Sequence, residues 1–123
     1  MGESKTVAIL GASPKPDRFA NRAMHKLLEH GHKVLLVNPA FEEIEGIKVY
    51  PNLAAIKEPV DTLTLYVGPE RSAPLASDIL DLRPQRVIFN PGTESPELMK
   101  KLEDHRIYFV RSCTLVMLDT GRF

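Results

Sequence analysis

The chain is short of cysteine, of any excess charge and of long apolar runs, and each shortage excludes something. Its one thiol, Cys113, rules out an intramolecular disulfide and suits a reducing compartment. Lys plus Arg and Asp plus Glu balance at 16 each, so no global field steers the chain toward nucleic acid or an anionic membrane. No apolar stretch approaches the ~20 residues of a membrane span, and the N-terminus lacks the charged–apolar–small pattern of a signal peptide. The expectation is a cytoplasmic protein with no nucleic-acid or membrane partner. Residues 1–123 are read as one domain, long enough for a single core without staples.

Catalytic and metal-binding patterns are also missing. His25, His30, His32 and His105 do not form an i, i+4 pair with a carboxylate, so no metal site is expected. Glu94, Glu97, Glu103 and Asp104 read as a solvated helix face. No paired carboxylates, Ser–His–Asp set or Cys–His pair falls on converging loops. Cys113 reads as a structural thiol with no helix N-terminus of its own.

What is present begins at Thr6–Arg22. Val7–Leu10 is a continuous apolar run, the mark of a strand buried on both faces. Gly11-Ala12-Ser13 follows, a turn of small residues that lets a ligand approach the backbone. From about Arg18 a helix is predicted. Phe19, Ala20, Ala23, Met24, Leu27 and Leu28 form its apolar stripe, with Asn21, Arg22, Lys26 and Glu29 opposite. Strand, small turn and helix bring free N–H groups and the helix dipole to one point, a place for phosphate. Ser13 adds a hydroxyl and Arg18 a guanidinium.

Further along, Gly31 ends the first helix and Lys33–Val37 is a second buried strand, stopped by Asn38-Pro39. Glu42–Gly46 reads as an acidic turn and Ile47–Tyr50 as a short edge strand. Asp61–Val67 is a strong strand closed by Gly68-Pro69. Glu70–Leu82 is predicted as one helix, with Pro74 tolerable only in its first turn. Arg86–Phe89 is a strand, Ser95-Pro96 starts a helix that runs to about His105, and Ile107–Val110 is the last strand. Cys113–Leu118 reads as a terminal helical turn or as coil. Alternating strands and helices mean an α/β domain, a mostly parallel sheet between two helical layers. The predicted strand order is 3-2-1-4-5-6, with a crevice at the switch point above Gly11 and Val67.

A dinucleotide turn would read G-x-G-x-x-G, and an NAD site would carry an acid at the end of the second strand. This chain has G-A-S-P-K-P and Asn38 instead. A neutral amide does not repel a phosphorylated ribose, and Lys15, Arg18 and Arg22 add positive charge. A nucleotide with a diphosphate and an extra ribose phosphate fits better than NAD. Coenzyme A has that make-up, and NADP is its nearest rival.

G-A-S-P-K-P-D-R-F-A-N-R, L-L-E-H-G-H-K-V-L-L-V-N-P, E-I-E-G, V-D-T-L-T-L-Y-V and S-C-T-L together resemble the stand-alone CoA-binding domain family. That family is similar to the N-terminal CoA-binding domain of the succinyl-CoA synthetase α subunit. The resemblance runs from Val7 to about Leu115 and implies a Rossmann-like fold. It implies that Gly11, Ala12, Ser13 and Arg18 hold phosphates, that Asn38 and Pro39 border the adenosine end, and that Val67, Gly68 and Pro69 flank the rest of the cofactor. Many members read W-x-Q-x-G after the fifth strand, where this chain has Phe89-Asn90-Pro91-Gly92. Phe89 can replace the indole as packing and Asn90 the glutamine amide at shorter reach. The synthetase domain that carries the ligase chemistry has no room in this sequence, so a binding or regulatory module without catalysis is expected. The alternative is a small NADP-binding redox protein. A protein partner or a second copy is not readable from the residues.

Overall fold

The apolar runs of the sequence become the inner strands of one sheet. The computed structural model describes residues 4–123. Its strands are β1 (Thr6–Leu10), β2 (Lys33–Val37), β3 (Glu43–Ile44), β4 (Ile47–Tyr50), β5 (Thr62–Leu65), β6 (Arg86–Phe89) and β7 (Tyr108–Arg111). The helices are α1 (Phe19–Glu29), α2 (Pro69–Ser72), α3 (Ala76–Leu82), α4 (Pro96–Asp104) and α5 (Thr114–Asp119). No helix among the described residues is long and apolar enough to cross a membrane.

Successive side chains of a strand point to opposite faces, and that alternation builds two cores from one run. Val7 and Ile9 pack with Met24 and Leu27 of α1 and Leu118 of α5. Ala8 and Leu10 pack on the other face with Ile79 of α3 and Leu98 and Leu102 of α4. The result is a three-layer, Rossmann-like α/β domain.

The sheet order is β3-β4-β2-β1-β5-β6-β7. Six of these strands are the expected ones in the expected order, 3-2-1-4-5-6. The seventh, β3, is a correction. It pairs antiparallel with β4, Glu43 opposite Lys48 and Ile44 opposite Ile47. Glu45 and Gly46 turn the hairpin with φ of 50° and 81°, both in the left-handed region. Two residues are too few to show alternation, so the sequence displayed only the turn.

The helix expected over Glu70–Leu82 is divided. α2 ends at Ser72, Ala73–Leu75 forms a 3-10 turn, and α3 begins at Ala76. Pro74 has no N–H to donate and its ring crowds the preceding turn, so a continuous α-helix cannot pass through it. The chain tail is helical: α5 begins at Thr114 with Cys113 as its N-cap. The thiol therefore does border a helix N-terminus, contrary to expectation. Ser95 caps α4 as its type predicts, its side chain accepting from the Leu98 N–H.

α1 departs from its pattern at both edges. Phe19, placed on the apolar stripe, is 63% exposed. Asn21, placed on the polar face, is 2% exposed. The histidines are spread over different contacts: His25 pairs with Glu45 at 3.0 Å, His32 Nδ1 accepts from the Lys5 N–H, and His105 Nδ1 lies 2.9 Å from the Lys101 carbonyl.

Candidate functional site

The site begins where β1 leaves the sheet. Gly11 has φ +94°, and a Cβ there would stand 2.9 Å from both the Tyr66 carbonyl oxygen and Val67 Cγ1. Glycine is required by backbone conformation and by space together. The Gly11 and Ala12 N–H groups both donate to the Val37 carbonyl, at 3.0 and 3.2 Å. These bonds tie the turn to the end of β2.

The free donors lie one step later. Ser13, Phe19 and Ala20 have N–H groups with no acceptor among the described residues. Arg18, the N-cap of α1, is extended and makes no side-chain capping bond, and the first turn holds no acid. An uncapped helix start with its dipole unopposed is electrostatically favourable to negative charge.

Two asparagines brace this turn. Asn38 donates from Nδ2 to the Ala12 carbonyl at 2.8 Å, while its Oδ1 accepts from the Ala40 N–H at 2.8 Å. Asn21 donates from Nδ2 to the Ser13 carbonyl at 2.9 Å and to Glu45 Oε2 at 3.0 Å. The Ala12 and Ser13 carbonyls are thus each occupied by an amide donor. The Asn21 amide, followed by His25, holds the Glu45 carboxyl below the usual carboxylate range.

A cleft of about 460 Å³ opens above the turn, between the start of α1, Val67-Gly68 and Pro91-Gly92-Thr93. It adjoins a smaller apolar pocket of about 140 Å³ lined by Val37, Pro39, Pro51, Leu53 and Leu75. Gly11, Asn38, Val67 and Arg71 line both. Lys15, Arg18 and Arg71 line the cleft, and among the described residues no Asp or Glu lines either cavity. None of the three cations forms an ion pair among the described residues. Neither lining contains a His or Cys. Tyr66 borders the cleft, and burial pushes its hydroxyl up to about 12, so it stays a neutral phenol near pH 7.

Of the residues singled out by sequence, Gly11, Ala12, Ser13, Arg18, Asn38, Val67 and Gly68 line the cleft, and Pro39 lines the smaller pocket. Pro69 lines neither. It is the first residue of α2, where its missing N–H costs nothing. Arg22 stacks on Phe19, 5.5 Å from the ring centre, and lies outside the cleft lining.

Sequence reasoning missed Asn21 and Arg71. The signal for Arg71 was its position just after Gly68-Pro69, a helix start at the end of an inner strand. Asn90 is not available as a replacement for a ligand-facing amide. It is buried, with Nδ2 donating to Thr64 Oγ1 at 2.7 Å and to the Leu65 carbonyl at 2.8 Å. Its Oδ1 accepts from the Thr114 N–H at 2.9 Å and so caps α5. Phe89 is fully buried and packs edge-on against Phe109 at 5.6 Å.

Comparison with known proteins bears on this cleft. The family model described as "CoA binding domain" matches residues 5–119. An uncharacterised Bacillus subtilis protein, YneT, is 28% identical over 78 residues, 63% of this chain and 58% of its own length. The ADP-forming acetate–CoA ligase I of Archaeoglobus fulgidus is 39% identical over 72 residues, 58% of this chain and 10% of the ligase. The chain therefore spans less than two thirds of these curated relatives. A solved Thermus thermophilus structure superposes with a TM-score of 0.89 at 34% identity, covering 98% of this chain and 91% of that one.

Proposed function

Because the chain belongs to the CoA binding domain family, we propose that its cleft binds coenzyme A or an acyl-CoA and that the domain is a binding module without chemistry of its own. One observation carries the reading. In a chain whose charges cancel overall, three cations without ion-pair partners among the described residues border one cleft that no described acid borders. That concentration of positive charge suits a ligand with several phosphates. The diphosphate meets the open start of α1 with Ser13, Lys15 and Arg18. The base occupies the apolar pocket beside Pro51, Leu53 and Leu75.

Acid–base or nucleophilic chemistry needs a group converging on the reacting atom. Among the described residues the cavity walls offer no carboxylate, imidazole or thiol. A hydride-transfer role for NADP is the second reading, favoured by the amide Asn38 where an NAD site has an acid. Calorimetry with CoA, acetyl-CoA, NAD and NADP tests both. CoA and acetyl-CoA are expected to bind and NAD to fail. Tighter binding of NADP than of CoA would replace the first reading by the second.

A further inference from the structure

We propose that Arg71 distinguishes ligands that carry a phosphate on the nucleoside ribose from those that do not, an inference that rests on the reading of the cleft as a CoA site. A ligand with its base in the apolar pocket and its diphosphate at the start of α1 must pass its ribose along the wall shared by the two cavities. That wall consists of Gly11, Asn38, Val67 and Arg71. Gly11 and Val67 bring no polar side chain. Asn38 is committed at both ends, to Ala12 and Ala40 at 2.8 Å each. Arg71 is the charged side chain of that wall, the one suited to a phosphate, and it has no ion-pair partner among the described residues.

Its setting suits the task. Arg71 is exposed in the single turn of α2, its N–H held by the Gly68 carbonyl at 3.0 Å, and its guanidinium has no carboxylate partner among the described residues. The other two cations of the cleft, Lys15 and Arg18, do not line the apolar pocket. A guanidinium fork takes a phosphate in two parallel hydrogen bonds. The family resemblance pointed instead to Asn38 and Pro39 for this end of the ligand. Asn38 is spent on the scaffold, and the ribose end is read from α2.

The test is calorimetry of the wild type, Arg71→Ala and Arg71→Lys with CoA and with 3′-dephospho-CoA. Arg71→Ala is expected to weaken CoA by about 10- to 100-fold, the scale of a charge-assisted bond, and dephospho-CoA by less than about 2-fold. Arg71→Lys restores part of the preference, because it keeps the charge and loses the fork. Arg71→Ala losses of equal size for both ligands, or no loss for either, overturn the assignment of Arg71 and leave the CoA reading intact. A wild type that binds neither ligand overturns the CoA reading itself, and this inference with it.

Discussion

The side-chain amide of Asn38 donates to the Ala12 carbonyl at 2.8 Å, joining the end of β2 to the turn that follows β1. The main chain repeats the link in the other direction, since the Gly11 and Ala12 N–H groups donate to the Val37 carbonyl. Asn38→Asp would set a carboxylate oxygen against that carbonyl. The expected cost is about 1–3 kcal/mol of folding stability, as for a polar group left facing the wrong partner. Because the bond is internal, affinity for CoA and for dephospho-CoA should fall by the same factor. A loss confined to CoA, seen by calorimetry, would return Asn38 to the ligand.

Arg18 stands at the uncapped start of α1 with no carboxylate partner among the described residues. Arg18→Ala should weaken CoA binding by about 1.5–3 kcal/mol, and dephospho-CoA equally, since both carry the diphosphate. The loss should shrink as salt is added. Unchanged affinity in a variant that melts normally would remove Arg18 from the site.

Glu45 links the β3–β4 hairpin to the turn after β1 through Asn21. Its carboxyl is held down chiefly by the Asn21 amide and then by His25. A depressed acid contributes stability that is fully present above its unfolded value, near 4.5, and is lost as the pH falls through the lower folded value. Denaturation of the wild type and Glu45→Gln across the acid range should show their stabilities converging below that unfolded value. A gap that stays constant with pH would mean the carboxylate charge does not matter.

Cys113 is half-buried at the N-cap of α5 and lines neither cavity. Cys113→Ser should keep CoA affinity within about 2-fold, below the effect of one net hydrogen bond. The wild type should show no acyl-CoA turnover. Mass spectrometry after incubation with CoA disulfide checks the thiol directly, because exchange would leave a CoA adduct on it. A stoichiometric adduct would make the domain a thiol-redox protein.

The layers of this fold were legible because burial is written in residue type. Val7–Leu10, Lys33–Val37 and Arg86–Phe89 are apolar runs that only an inner parallel strand accommodates, and the α/β alternation orders them. Ser95-Pro96, Gly11 and Gly31 carry their conformational meaning locally, within a few residues. The same logic failed for β3, too short for a period, and understated how firmly Pro74 divides a helix.

The polar network is another matter. That Asn38 serves the scaffold, that Asn90 caps α5 and that Asn21 is buried are facts about partners 8 to 26 residues away, and that Arg71 lines two cavities without an ion-pair partner among the described residues is a fact of the folded surface. An asparagine reads the same in sequence whether its amide meets a ligand, a carbonyl or water. The hydrophobic effect is non-directional, so composition and spacing suffice to assign a buried side. A hydrogen bond needs its partner within about 3 Å and at the right angle, and that distance exists only once the chain is folded.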